Sequence, residues 1–126
     1  MPVQESIASA IHWFEIPASD FARAIRFYEM VFGITLRHES AWPDLAIFPF
    51  DRPGITGAIA NLPNLKPNSD GVIIYLNCNG KFDAVLDRVE AAGGAIVEKK
   101  AQLPNIGWVA QIQDTEGNRI GLHAAA

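Results

Sequence analysis

Trp13-Phe14-Glu15-Ile16-Pro17-Ala18-Ser19-Asp20-Phe21-Ala22-Arg23-Ala24-Ile25-Arg26-Phe27-Tyr28-Glu29-Met30-Val31-Phe32-Gly33 is the stretch whose reading decides the fold. Its first four residues have the alternation of a strand, interrupted at Pro17. Ser19 or Asp20 can then accept from the free amides of a helical first turn. Phe21, Ile25, Tyr28 and Phe32 recur at spacings of four, three and four, one face of a helix. Gly33 supplies the residue tolerant of positive φ that ends it. The expectation is strand, helix, stop.

Working outward, two strands are expected over roughly 34–39 and 44–49, separated by Ser40-Ala41-Trp42-Pro43. A fourth, about 55–60, follows the turn Asp51-Arg52-Pro53-Gly54. Residues 61–70 hold two prolines and three asparagines with no apolar period, which marks a linker. The order then restarts. Val72 to Cys78 is a strand rich in β-branched residues. Phe82, Leu86 and Val89, with Gly93 or Gly94, repeat the helix and its stop. Strands near 95–100 and 107–113 lead into the turn Asp114-Thr115-Glu116-Gly117-Asn118, and a last strand runs to about His123. An offset of 61 pairs Phe21 with Phe82 and Glu29 with Glu90, and an offset of 64 pairs Gly57 with Gly121. This is self-similarity of one supersecondary unit, with too few copies for a solenoid.

The totals set bounds. A chain of 126 residues, 49% hydrophobic and 19% charged, fits one packed domain. A net charge of −4 without a basic run argues against nucleic acid and anionic membrane as partners. The longest apolar run, Gly71 to Leu76, is far below the roughly 20 residues that span a bilayer. Met1 to Ser6 lack the pattern of a signal peptide. One cysteine, Cys78, excludes an intrachain disulfide and suits a reducing compartment, so a cytoplasmic location is expected.

Three stretches carry a family resemblance: the strand and helix from Trp13 to Gly33, the helix end Val89-Glu90-Ala91-Ala92-Gly93-Gly94, and the hairpin Asp114-Thr115-Glu116-Gly117-Asn118-Arg119-Ile120-Gly121-Leu122. In this order they resemble the vicinal oxygen chelate superfamily, which includes glyoxalase, bleomycin-resistance protein and extradiol dioxygenase. The resemblance implies an α+β fold: two tandem βαβββ modules whose curled mixed sheets surround a central cavity. On that basis residues 1–126 form one glyoxalase-like domain, with module one at about 8–60, a linker at 61–70 and module two at about 71–124. It also implies a homodimer and, in metal-dependent members, a divalent ion on four inward side chains.

Those four slots fall here on Trp13, a position near Gly57, Ile73 and Gly121, none of which is a metal ligand. A shift of one residue would bring His12 into the first slot but would turn Phe14 and Ile16 toward the cavity. No cofactor is therefore expected; a divalent ion held by Glu15 and His123, with water or a second chain, stays open as an alternative.

The period of two puts Trp13 and Glu15, Ile73, Tyr75 and Asn77, and Gly121 and His123 on the cavity side. Glu15, Tyr75 and His123 each lie two residues, about 6.6 Å, beyond a vacated slot and are the candidate catalytic residues. Trp13, Ile73, Gly121 and Trp108 are the candidate substrate-binding residues. The plain readings stand beside these. Glu15 could bridge to Arg26, Arg37 or Arg119; His123 could be a surface residue near the C-terminus; Tyr75 could be a core aromatic. His12 and His38 read as structural or exposed.

Two functions compete. One is a glyoxalase-like lyase or isomerase acting on a small oxygenated metabolite in the inter-module cavity without the standard metal. There, desolvation among aromatic residues would strengthen Glu15 as a general base. The alternative is a metal-free small-molecule binding or sequestering protein of the bleomycin-resistance type, favoured by the missing ligands, three tryptophans and negative charge.

Overall fold

A computed structural model describes residues 9–125; the bounds at Met1–Ser6 and residue 8 lie outside the described residues. The first unit runs β1 (Trp13–Pro17), α1 (Phe21–Phe32), β2 (Arg37–Glu39), β3 (Trp42–Ile47) and β4 (Thr56–Ala60). The second runs β5 (Tyr75–Asn77), α2 (Phe82–Arg88), β6 (Ala95–Leu103), β7 (Gly107–Gln113) and β8 (Arg119–Ala124). They form two four-stranded mixed sheets, ordered β1-β4-β3-β2 and β5-β8-β7-β6. In each, the first and last strands pair in parallel and the rest are antiparallel. The paired βαβββ architecture is present.

α1 forms where the sequence places it. Asp20 caps it by accepting from the Arg23 amide at 3.0 Å. Gly33 closes it in the left-handed region, φ 65°, donating its amide to the Glu29 carbonyl. The buried face is wider than the expected stripe: Ala24, Phe27, Tyr28, Val31 and Phe32 are buried, whereas Phe21 and Ile25 are half-buried. The reason is that α1 packs on its own sheet and also meets the second module.

Several boundaries differ from expectation: β2 begins at Arg37 rather than near residue 34, β3 ends at Ile47 rather than near 49, and α2 ends at Arg88, short of Val89. The turn after β2 is Ser40-Ala41 alone, and Trp42 and Pro43 already belong to β3. The expected strand Val72–Cys78 pairs in register only over Tyr75–Asn77, and Val72 before it is 92% exposed. β6 extends to Leu103, past its expected end near residue 100, so only residues 104–106 form the turn before β7.

The hairpin turn after β7 joins the modules. Buried Tyr28 donates its hydroxyl to the Asp114 carboxylate at 2.6 Å, and Asn118 Nδ2 donates to the Pro17 carbonyl at 2.7 Å. The Glu116 carboxylate, its side chain fully shielded, accepts from the Ser19 and Asp20 amides at 2.9 and 2.7 Å and from Arg23 Nε at 2.8 Å. Burial alone would raise the Glu116 carboxyl. The hydrogen bonds from Arg23, the Asp20 amide and Thr115, with the Arg23 charge, instead hold it at about 2.

Candidate functional site

Which face of each sheet is open follows from what the alternate residues bury. Phe14 and Ile16 turn toward the helix side, Phe14 packing against Phe48 with ring centroids 5.7 Å apart. Trp13 and Glu15 therefore face the other way. Both are exposed, and the Trp13 indole N–H donates to Glu15 at 3.3 Å. No arginine lies within ion-pair reach of Glu15; among the described residues the three ion pairs are Arg23–Glu116, Arg37–Glu39 and Lys100–Asp83.

In the second module Leu76 and Leu122 are buried, so Tyr75 and Asn77, with Arg119, Gly121 and His123, take the opposite face. Tyr75 is 47% exposed, and its hydroxyl accepts from Gln111 Nε2 at 2.9 Å. His123 is half-buried rather than frayed. Its Nε2 donates to the Ile106 carbonyl at 2.7 Å, since a carbonyl can only accept. Ile73 precedes β5 and is half-buried.

Trp108 is a correction. It is the register partner of buried Ala124 and alternates with buried Ala110 and Ile112, which puts it on the helix-bearing face. There Lys100 stacks on its ring at 4.4 Å and reaches over Phe82 of α2 at 5.7 Å. The sheet separates Trp108 from the other candidates.

The slot near Gly57 is a second correction. The amides of Ala18 and Cys78 donate to the Ala60 and His123 carbonyls, so Pro17 and Asn77 are equivalent positions, as are Glu15 and Tyr75. Because Glu15 pairs with Ala58 and Tyr75 with Gly121, the module-one equivalent of Gly121 is Ala58. Gly57 faces the core: a Cβ there would strike the Phe14 carbonyl and ring. The corrected slots are Trp13, Ala58, Ile73 and Gly121, and a Cβ on Gly121 would collide with the Tyr75 ring. An indole, two aliphatic side chains and a glycine under an aromatic ring do not fit a divalent ion. Among the described residues no group of three His, Cys, Asp or Glu side chains is placed to hold one.

What the first sheet does offer is a cleft of about 450 Å³ on its open face, with His12, Trp13, Arg37, Trp42, Phe50 and Arg52 in its lining. Trp42 is 62% exposed, Arg37 pairs with Glu39 at 2.9 Å, and the Arg52 guanidinium lies 5.4 Å from the Phe50 ring centre. Arg52 and Phe50 were not among the sequence candidates. Their only signal was membership of the β3–β4 connection, and connections carry much of a protein's binding chemistry. Aromatic faces and two guanidiniums in one cleft can contact a flat molecule and donate to an anionic group on it.

Comparison with known proteins agrees with this architecture. The family model described as the Glyoxalase/Bleomycin resistance protein/Dioxygenase superfamily matches residues 10–122. A solved glyoxalase/bleomycin resistance protein from Albidiferax ferrireducens T118 superposes with a TM-score of 0.74 at 17% identity, covering 94% of this chain and 100% of that one. A lactoylglutathione lyase from Agrobacterium tumefaciens gives 0.60 at 22% identity, covering 94% and 96%. A glyoxalase-related enzyme from Fulvimarina pelagi gives 0.69 at 17% identity, covering 90% and 86%. No curated protein sequence matches. At these identities the superpositions speak to fold, while the family match spans nearly the whole chain: the protein belongs to the glyoxalase/bleomycin resistance protein/dioxygenase superfamily.

Proposed function

We propose that the protein is a metal-free small-molecule binding member of this superfamily, holding a planar anionic metabolite in the module-one cleft. The carrying observation is the arrangement of that cleft: Trp13 stands in a metal slot and, with Trp42 and Phe50, forms aromatic walls around Arg37 and Arg52. The chain as a whole carries −4, yet these lining residues bring two guanidiniums against the single carboxylate of Glu39. A ligand with an aromatic body and a carboxylate matches both features. Tryptophan fluorescence titrated with benzoate and with benzyltrimethylammonium tests the reading. Saturable quenching by benzoate alone, lost in Trp42→Phe and weakened in Arg52→Gln, is the expected result. A flat titration, or preference for the cation, overturns it.

The second reading is a glyoxalase-like lyase or isomerase using Glu15, Tyr75 and His123. It is favoured by the equivalent positions of Glu15 and Tyr75 on the open faces of the two sheets. Turnover abolished in Glu15→Gln while benzoate binding persists would select it. We further infer a homodimer in the cytoplasm. The exposed apolar side chains Trp13, Trp42, Tyr75 and Ile106 support a second copy, and sedimentation checks it. The acidic balance and the buried cysteine support the location.

A further inference from the structure

Between the modules lies a smaller cavity of about 200 Å³, separate from the cleft of module one. Its polar lining comes from Glu15 of β1, Asn68 and Asp70 of the linker, and Arg119 at the start of β8; Val72 and Ile74 add an apolar wall. The space far exceeds the roughly 10–15 Å³ that admits one water.

The charged groups here are not matched to one another. Arg119 makes no ion pair with Glu15 or Asp70, and its buried Nε has no acceptor among the described residues. A buried donor without a partner is unfavourable, and the carboxylates that line the same cavity do not relieve it. Glu15 spends one oxygen on the Trp13 indole, and Asp70 spends one on the Gly71 amide at 2.9 Å. Each keeps a second oxygen. The frame around them is fixed, because Asn118 ties together the Asn68 amide, the Pro17 carbonyl and Asp114.

One cation and two carboxylates that do not touch call for a ligand carrying both signs. A plain carboxylate would meet two like charges, and a plain amine would leave the Arg119 guanidinium without a counter-charge. We propose that the seam cavity binds a small zwitterion of the α-amino-acid type. Its carboxylate lies on Arg119, its ammonium between Glu15 and Asp70, and a short aliphatic side chain against Val72 and Ile74.

Calorimetric titration of the full chain with L-valine, 3-methylbutanoate and isobutylamine tests this. The second compound lacks only the ammonium of valine, and the third lacks only the carboxylate. Saturable binding of L-valine is expected, with each half-ligand weaker by about tenfold or more. Asp70→Asn and Arg119→Gln should each weaken valine by about tenfold. If Arg119→Gln fails to fold, Asp70→Asn and Glu15→Gln, both at exposed positions, carry the test. No saturation by L-valine up to about 20 mM, equal affinity for 3-methylbutanoate, or unchanged affinity in Asp70→Asn and Glu15→Gln each overturn the proposal.

Discussion

Tyr75 lies with its ring over the Cα of Gly121, its register partner on β8, so that a Cβ on Gly121 would collide with ring carbons. The two residues close one of the four slots together: glycine makes room for the ring, and the ring shuts out any side chain that could reach an ion.

That coupling is measurable. Gly121→Ala should cost about 1–3 kcal/mol of stability by overpacking against Tyr75. Removing the half-exposed ring with Tyr75→Ala should recover most of that loss. A double-mutant cycle by urea denaturation is expected to give a coupling of at least about 1 kcal/mol. Additive single effects would mean that the ring does not rest on Gly121.

Gly57 should behave differently, although the sequence presents it as the counterpart of Gly121. A Cβ at Gly57 meets the Phe14 backbone carbonyl as well as its ring, and neither can move far inside a core. Gly57→Ala should therefore cost about 3 kcal/mol or more, and Phe14→Leu should not rescue it. Restoration of the melting temperature in the double variant would contradict the placement of Gly57 on the core side.

The same pair shows what was legible in the sequence. Helix spacing, caps and turn residues are local signals, and α1 with its Asp20 cap, β7 and the Asp114–Asn118 turn lie where those signals put them. Strand register is not local. Two glycines 64 positions apart look like duplicates, yet the β1–β4 and β5–β8 pairings make the true offset 63. That slip of one residue moves a side chain to the other face of its sheet. Residue type alone suggests a cavity position for Trp108, whereas its strand parity, set by Ala110 and Ile112, puts it beside α2. Arg52 and Phe50 reach the cleft through the fold of a long connection, which no periodicity encodes.

The Glu116 latch predicts acid sensitivity. Its carboxyl sits at about 2 in the folded protein against 4.5 for the free side chain, so the unfolded state binds its proton more readily. The contribution is full above pH 4.5 and is lost as pH falls through about 2. Glu116→Gln should cost roughly 2–3 kcal/mol at pH 7, since it removes the charge that accepts from Ser19, Asp20 and Arg23. It should also flatten the stability profile below pH 4.5. A variant with the wild-type acid transition would show that the latch carries none of that dependence.

Cys78 gives the last test, and it reports on packing rather than on the site. The thiol is fully buried, and desolvation pushes it up to about 11, outweighing the opposing effects of the His123 backbone and Lys81. At pH 8 its thiolate fraction is about one in a thousand, and no path leads a reagent to it without local opening. Native protein should react with a disulfide reagent at the rate at which the β5 end opens, and addition of urea should restore the rate of an ordinary free thiol. Raising the pH should weaken the fold between about 9 and 11, because the unfolded thiol ionises across that window while the native one keeps its proton. Cys78→Ala should abolish that part of the alkaline decline. Rapid labelling of the native chain at pH 8 would place Cys78 at the surface and contradict the packing of β5 against β8 described above.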